Sequence, residues 1–140
     1  MRAWLVAVCL AMATVAAAQT AEQRLFEAIE EGKPLVAEGI VARGAVKLDA
    51  RNKERETPLH LAIEKGMKEL AEMLVRAGAP LGARSAGGET PLHLAALHED
   101  PWYVDLLLVA KADPKARNDE GESVLQWAVK IGRASCRERV

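Results

Sequence analysis

The chain contains very little cysteine. Only two of its 140 residues are cysteines, Cys9 and Cys136, and both lie near an end. The stretch from Gln19 to Lys130 has none, which excludes a disulfide framework and a cysteine-based zinc site there. This stretch must therefore be stabilised by packing alone. In an oxidising compartment, that fits a bacterial periplasm better than a eukaryotic extracellular setting.

Aromatic residues and net charge are also scarce. The chain has three tryptophans, one tyrosine and one phenylalanine, and its formal charge is −1. Such a charge gives no indication of a nucleic-acid or membrane-surface partner. Half of the residues are apolar, with alanine and leucine the most frequent. This composition is typical of small, closely packed helices in one domain, and it argues against disorder.

Residues 1–18 have the pattern of a secretory signal peptide. Met1-Arg2 provides a short basic start, an apolar run follows to about Ala13, and Ala16-Ala17-Ala18 precedes Gln19. We expect cleavage after Ala18 and export, with no membrane contact of the mature chain. The alternative is a membrane anchor, for which the apolar run is short.

A hexapeptide recurs at a fixed period of 33 residues. Thr57-Pro58-Leu59-His60-Leu61-Ala62 returns as Thr90-Pro91-Leu92-His93-Leu94-Ala95, and a weaker copy follows as Ser123-Val124-Leu125-Gln126-Trp127-Ala128. The hydroxyl residue that opens each copy predicts a helix N-cap, and the proline fits the first helical position. Such self-similarity predicts an array of repeated supersecondary units.

Each unit is predicted to contain two helices and an extended finger. The first helix of the best copy ends near Gly66, and Gly78 ends the second helix in a left-handed cap. Residues 79–89 then form a turn-rich link. In the next unit we expect the first helix to run to about His98 and the second to open at Pro101.

The hexapeptide and its spacing resemble the ankyrin repeat family. Gly88 and Gly121 match the turn glycine that precedes the motif in that family, whereas Arg55 departs from it. We therefore expect a different turn geometry ahead of Thr57. Lys111 stands where the preceding unit has a glycine at the end of its second helix.

The resemblance implies an all-α ankyrin-repeat solenoid of stacked helix-turn-helix units with β-turn fingers. About four units are expected in a domain of residues 19–132, the last one incomplete. Their approximate bounds are 22–51, 52–84, 85–117 and 118–132. The first unit has a polar outer side, which suits a terminal capping repeat.

Residues 131–140 break the repeat pattern and resemble the translation of a sequencing adapter. We expect residues 133–140 to be a non-native tail, the alternative being a genuine basic tail with a free thiol. Residues 19–132 carry 15 Lys and Arg against 19 Asp and Glu, and hence a charge of −4. This mildly acidic body further disfavours nucleic acid as a partner.

Three histidines raise the question of catalysis or metal binding. His60 and His93 share one repeat position, where the resemblance implies bonds to the capping threonine that brace adjacent units. His98 lies beside Glu99 and Asp100, so weak zinc capture is the alternative to an ordinary surface imidazole. The chain has neither a Gly-x-Ser-x-Gly motif nor a phosphate loop. We expect no enzyme activity, no cofactor and no metal.

The resemblance also implies a partner surface formed by finger tips and the exposed sides of the first helices. In this chain it comprises Lys53, Glu54, Glu56, Glu64, Lys65, Ala86, Gly87, Glu89, Leu97, His98, Asp119, Glu120, Glu122 and Lys130. This mixed, slightly acidic surface favours a protein partner with some basic character. Trp102 is expected to pack partly against the neighbouring unit, an exposed partner anchor being the alternative.

The leading hypothesis is a non-enzymatic, exported protein–protein interaction module. It would bind a periplasmic protein of unknown identity and regulate or protect it. One alternative is a secreted ankyrin effector that acts on host proteins. Another is the ankyrin part of a larger protein with a downstream catalytic domain.

Overall fold

A computed structural model describes residues 20–130 of the chain. The predicted signal peptide at residues 1–18 and the predicted non-native tail at residues 133–140 lie outside this range. Within it, the backbone forms helices and one isolated antiparallel bridge between Arg117 and Ser123, and no strand. The helices are α1 (Ala21–Glu30), α2 (Pro34–Ala42), α3 (Pro58–Glu64), α4 (Lys68–Arg76), α5 (Pro91–Ala95), α6 (Trp102–Val109) and α7 (124–130).

The helices are arranged in two layers. Each first helix packs against the second helix of its own unit, so that α1 pairs with α2, α3 with α4 and α5 with α6. Across units, α1, α3 and α5 stack on one another, and α2, α4 and α6 do the same. Each unit therefore contacts mainly its neighbours, which confirms the predicted solenoid.

The repeated hexapeptide starts its helix as predicted. Thr57 and Thr90 occupy the N-cap with extended backbone, and a proline follows each at the first helical position. In both copies the N-cap threonine and the histidine at the third helical position form a reciprocal capping box. Histidine thus occupies the position that glutamate or glutamine holds in the usual form of this motif.

The second helices α4 and α6 each end in a left-handed cap of the same type, although only the first of these caps contains glycine. After α4, Gly78 has a φ of 90°, and the next N–H bonds the Leu74 carbonyl at 3.0 Å. After α6, Lys111 has a φ of 70°, and the next N–H bonds the Leu107 carbonyl at 2.9 Å. The lysine therefore adopts the glycine conformation, because the packing of the two layers fixes where the chain must turn.

Helix α5 is shorter than predicted. It ends at Ala95 rather than near His98, and the N–H groups of Leu97 and His98 bond carbonyls three residues back, at 3.1 and 3.2 Å. The equivalent helix α3 ends at Glu64 and is followed by Gly66, which has a φ of 73°, whereas Glu99 occupies the position of Gly66 here. Without glycine to form the left-handed cap, the last turn tightens into i−3 bonds.

The core runs between the two layers along the array. Its largest side chains are almost completely inaccessible and come from both layers; they include Leu25, Ile29, Leu59, Ile63, Leu70, Leu74, Leu92 and Leu107. Apolar side chains are strongly exposed at both ends of the described array, where Leu35 on α2 is 81% exposed and Val109 on α6 is 84% exposed. None of the helices within residues 20–130 is long and apolar enough to cross a membrane.

Candidate partner-binding surface

Three fingers project from the helical layers, and each is held by a polar side chain behind its tip. In the second finger (51–57), Asn52 Oδ1 accepts from the N–H groups of Glu54 and Glu56 at 2.9 and 2.8 Å. In the fourth finger (117–123), Asn118 Oδ1 accepts from the Glu122 N–H at 2.9 Å. In the third finger (84–90), the Ser85 hydroxyl donates to the Glu89 carboxylate. These bonds fix the tips as ordered turns.

All three fingers turn with the same backbone geometry. Arg55 has a φ of 62°, close to the 79° and 77° of Gly88 and Gly121 at the equivalent positions. The prediction of a different geometry ahead of Thr57 was therefore wrong. Stacking on the next finger fixes the turn, and Arg55 adopts a conformation that costs a non-glycine residue about 1–2 kcal/mol.

A ladder of arginines joins the fingers, and it was not predicted from the sequence. Arg51, Arg84 and Arg117 are spaced by 33 residues, and each guanidinium donates to a carbonyl of its own finger at 2.7–3.3 Å. Arg51 also donates to the Arg84 carbonyl at 2.6 Å, and Arg84 to the Arg117 carbonyl at 2.8 Å. The sequence does contain a sign of this ladder, because the three arginines recur with the same 33-residue period as the hexapeptide.

Backbone bonds also connect successive finger tips. The Ala86 N–H donates to the Glu54 carbonyl at 2.9 Å, and the Asp119 N–H donates to the Gly87 carbonyl at 3.1 Å. The fingers approach so closely that a Cβ on Gly88 would lie 2.5 Å from the Asp119 backbone nitrogen. The three tips therefore form one continuous surface and are not independent loops.

Each repeated histidine links its own unit to the finger of the next unit. His60 is fully buried; its Nδ1 lies 3.2 Å from the Thr57 N–H and 2.8 Å from the Thr57 hydroxyl, and its Nε2 lies 3.1 Å from the Glu89 carbonyl. Because a backbone N–H can only donate, Nδ1 is the acceptor and the proton resides on Nε2. Burial lowers the pKa of His60, in keeping with a neutral ring.

His93 repeats this arrangement one unit later. Its Nδ1 lies 2.8 Å from the Thr90 hydroxyl, and its Nε2 lies 3.4 Å from the Glu122 carbonyl. In the weaker third copy, Gln126 accepts from the Ser123 N–H at 3.0 Å, so the cap persists without a histidine. The local bonds that the resemblance implied for His60 and His93 are therefore present, and both rings serve the stacking of units.

The structure divides the predicted partner residues into two groups. The first group is exposed, lies at the tips or on first helices, and comprises Lys53, Glu54, Glu64, Lys65, Ala86, Gly87, Leu97, Asp119, Glu120 and Lys130. In this group, Asp119 also pairs with Arg84, and Lys130 with Glu120 and Glu122. The other exposed residues, among them Lys53, Glu54, Glu64 and Lys65, lie where a partner could reach them.

The second group consists of side chains that the fold already uses. Glu56, Glu89 and Glu122 are half-buried, and each carboxylate bonds the side chain four residues before it within the same finger. Burial raises the pKa of Glu56, and the Lys130 ammonium lowers the pKa of Glu122. These three glutamates hold the shape of the fingers.

His98 also belongs to this second group, contrary to the exposed imidazole expected from the sequence. Its Nε2 contacts the Ile63 carbonyl on α3, and its ring lies 4.7 Å from that of Tyr103. Trp102 is half-buried, packs against the core and meets Tyr103 edge-on at 5.2 Å. On the side of the neighbouring unit, the Lys68 ammonium lies 5.6 Å from the centroid of the Trp102 ring.

A groove lies where the first unit meets the second finger. Its walls are α1, the finger and α3; Phe26 and Leu61 provide apolar surface, and Glu54, Glu56 and Glu64 provide carboxylates. Phe26 is the only phenylalanine in the chain, and it aligns with the buried histidine of the next unit. This groove was not predicted from the sequence, because the first unit lacks the hexapeptide.

Within residues 20–130, no group of three or more His, Cys, Asp or Glu side chains could hold a metal ion. No curated protein matches the chain. A family model described as ankyrin repeats (3 copies) matches residues 25–118. That match covers about two thirds of the chain, and the stacked helix pairs and fingers agree with it. The chain therefore belongs to the ankyrin repeat family.

Proposed function

We propose that the chain is exported and acts, without enzymatic activity, by holding a periplasmic protein against its finger tips and concave helix face. Ankyrin repeats indicate a protein–protein interaction module. The observation that carries the proposal is the continuous row of tips. Backbone bonds set three fingers in register, while Lys53, Glu54, Ala86 and Glu120 at their ends stay exposed.

The chemistry of the described residues supports a binding role. Both repeated histidines are buried and engaged with threonine and carbonyl partners, so neither is available as a base or ligand. The conspicuous finger glutamates are likewise bonded within their fingers. The remaining exposed side chains carry charges of both signs, which can steer a partner of complementary charge and fix its register.

Export is supported by residues 1–18 and by the lack of cysteine between Gln19 and Lys130. It is tested by expressing the chain with and without residues 1–18 in a bacterium and fractionating the cells. We expect a shortened chain beginning at Gln19 in the periplasm, and only when residues 1–18 are present. A full-length chain in the membrane fraction would instead identify an anchor, and a wholly cytosolic chain would refute export.

Partner binding is tested by capture from periplasmic extract on the mature chain. Glu54→Lys reverses a charge at a finger tip, and Glu69→Lys makes the same change on α4 in the other layer. We expect the wild type and Glu69→Lys to retain the same protein and Glu54→Lys to lose it. Equal retention by all three would refute the finger surface, and no retention by any would refute the binding role in that compartment.

A further inference from the structure

The boundaries between units differ in their polar bonds. At the second boundary (units 2 and 3), the third finger receives two donors from the preceding unit: His60 to the Glu89 carbonyl and Arg51 to the Arg84 carbonyl. At the third boundary (units 3 and 4), His93 and Arg84 do the same for the fourth finger. Each of these fingers thus offers one carbonyl to an imidazole and another to a guanidinium.

The second finger offers the same two carbonyls, on Glu56 and Arg51, at the first boundary (units 1 and 2). In the part of the chain that the structure describes, the Glu56 carbonyl accepts only from the Asn52 N–H of its own finger, at 3.0 Å. Among residues 20–130, nothing donates to the Arg51 carbonyl. Phe26 aligns with His60 but has no polar hydrogen, so it cannot donate to the Glu56 carbonyl as His60 does to that of Glu89. Two acceptors therefore face the preceding unit without its donors.

The groove described above lies at this same boundary. Phe26 is half-buried and forms part of its wall together with Leu61, so an aliphatic stem would find an apolar surface there. An aromatic face also attracts a guanidinium laid over it. The site therefore combines an apolar surface with two carbonyls that receive no donor from α1, an arrangement that suits an amphipathic cation.

The charge of the groove has the sign that such a cation requires. Four lining carboxylates form neither a hydrogen bond nor an ion pair with any described residue: Glu27, Glu30, Glu54 and Glu64. Among the lining cations, Lys53 and Lys65 are similarly unpaired, and Arg51 is committed to finger carbonyls. Arg51 keeps its positive charge when it bonds neutral carbonyls, and Glu56 is a fifth lining carboxylate. The lining therefore carries five negative and three positive charges, a net charge of −2.

We propose that this groove binds an arginine side chain of the partner protein, presented next to an apolar residue. The proposal rests on the protein-binding function proposed above and names the group that is recognised. Arginine fits better than lysine because its planar fork can donate to two carbonyls at once. Arg51 and Arg84 already do so within this chain, so the partner would complete at the first boundary the contacts that the array makes for itself elsewhere.

The binding test uses NMR titration of the ¹⁵N-labelled mature chain with three capped dipeptides. The probes are acetyl-Leu-Arg-amide, acetyl-Leu-Lys-amide and acetyl-Leu-citrulline-amide. We expect the arginine probe to shift the backbone amides of Phe26, Asn52, Glu56 and Leu61 in a saturable way. The lysine probe should bind more weakly, and the uncharged citrulline probe should cause no shifts there. Equal shifts with all three probes, or none with arginine, would overturn the proposal.

Two variants connect the groove to this binding. Glu64→Gln removes one exposed carboxylate and should weaken the arginine probe about two- to fivefold, whereas Glu69→Gln on α4 should leave it unchanged. Phe26→His introduces a donor at the position of His60. Its imidazole should donate to the Glu56 carbonyl and so abolish probe binding. Unchanged affinity in both groove variants would show that the arginine binds elsewhere.

The same variants separate this inference from the general binding role. If the wild type captures a periplasmic protein and Phe26→His captures it equally, the interaction module stands and the arginine site is wrong. If the arginine probe binds the groove but no protein is captured, the site stands and its proposed use fails. A captured protein released by excess acetyl-Leu-Arg-amide, and not by the citrulline probe, would support both.

Discussion

The first and second boundaries of the array bury equivalent leucines but differ in their polar bonds. Leu25 and Leu59 occupy the same position in successive first helices, and each is 0% exposed. Only at the second boundary do a histidine and an arginine cross to the next finger. At the first boundary, neither bond is present among residues 20–130: the Lys47 N–H bonds the Glu22 carboxylate at 3.3 Å, but both residues lie in the first unit. Packing is therefore sufficient to stack these units, and the polar bonds add register and strength.

Removing one core leucine should produce the largest loss of stability. It should also show whether the two boundaries differ in strength. Leu59→Ala and Leu25→Ala should each cost about 2–5 kcal/mol, because both leave a cavity. We expect Leu59→Ala to reduce the protection of all units in native-state hydrogen exchange. Leu25→Ala should open α1 and α2 and leave α3 to α6 protected, since fewer bonds tie the first unit to the rest. Equal loss throughout both variants would contradict this difference between the boundaries.

His60→Ala should have the next largest effect. It leaves the buried Thr57 N–H and the Glu89 carbonyl without their imidazole partner, at about 1–3 kcal/mol for each unsatisfied group. We expect a total loss of about 2–4 kcal/mol in urea unfolding, with Glu69→Ala as a surface control within about 0.5 kcal/mol of wild type. A His60→Ala loss no larger than that of the control would show that the brace contributes no stability.

The same brace should make stability depend on pH. Because burial places the folded pKa of His60 below its ordinary value of 6.5, the unfolded chain binds the proton more readily. The free energy of unfolding should therefore be fully retained above pH 6.5 and fall as the pH drops toward the folded pKa. The raised pKa of Glu56 acts in the opposite direction, since its protonation favours the folded state as the pH falls.

His60→Gln isolates this contribution of His60. Gln126 shows that glutamine can accept from the N-cap N–H in this motif, at 3.0 Å, and it does not titrate. Urea unfolding at several pH values should give a flatter profile below pH 6.5 for the variant than for wild type. Parallel profiles would assign the acid sensitivity to other groups.

The smallest expected effect concerns the turn of the second finger. Arg55→Gly should raise stability by about 0.5–1 kcal/mol, because glycine accepts a φ of 62° without the steric cost that arginine bears. Thermal unfolding should show the midpoint rising by about 2–6 °C. Arg55→Ala retains a Cβ and should give no such gain. A gain in both variants would trace the effect to the loss of the arginine side chain.

Much of the fold was predictable from the repeat. The positions of Thr57, Pro58 and Gly78 correctly predicted where helices begin and end, because capping and φ preferences act over a few residues. The end of α5 was not predicted, although position 99 lacks the glycine that follows α3, since the contact of His98 with the Ile63 carbonyl on α3 exists only in the folded array. The geometry at Arg55 was mispredicted for the same reason, as the neighbouring finger outweighs a local preference.

The candidate surface was predictable only in part. Which residues lie at the fingers follows from the period, and the exposure of Lys53, Glu54 and Glu120 agrees with that placement. The sequence could not show that Glu56 and Glu89 bond inside their own fingers. Their bonds depend on the three-dimensional path of the turn. Whether the exposed residues contact a partner stays a prediction.

The 33-residue period of Thr57-Pro58-Leu59-His60-Leu61-Ala62 determined by itself that the chain forms a helical solenoid. Each unit leaves an apolar side that only a similar neighbour can cover, so repetition implies stacking. Tertiary structure decided which repeated polar residues find a partner in the next unit. His60 reaches a carbonyl of the next finger and Phe26 cannot, because a hydrogen bond needs a donor at the point of contact, whereas packing needs only matching volume.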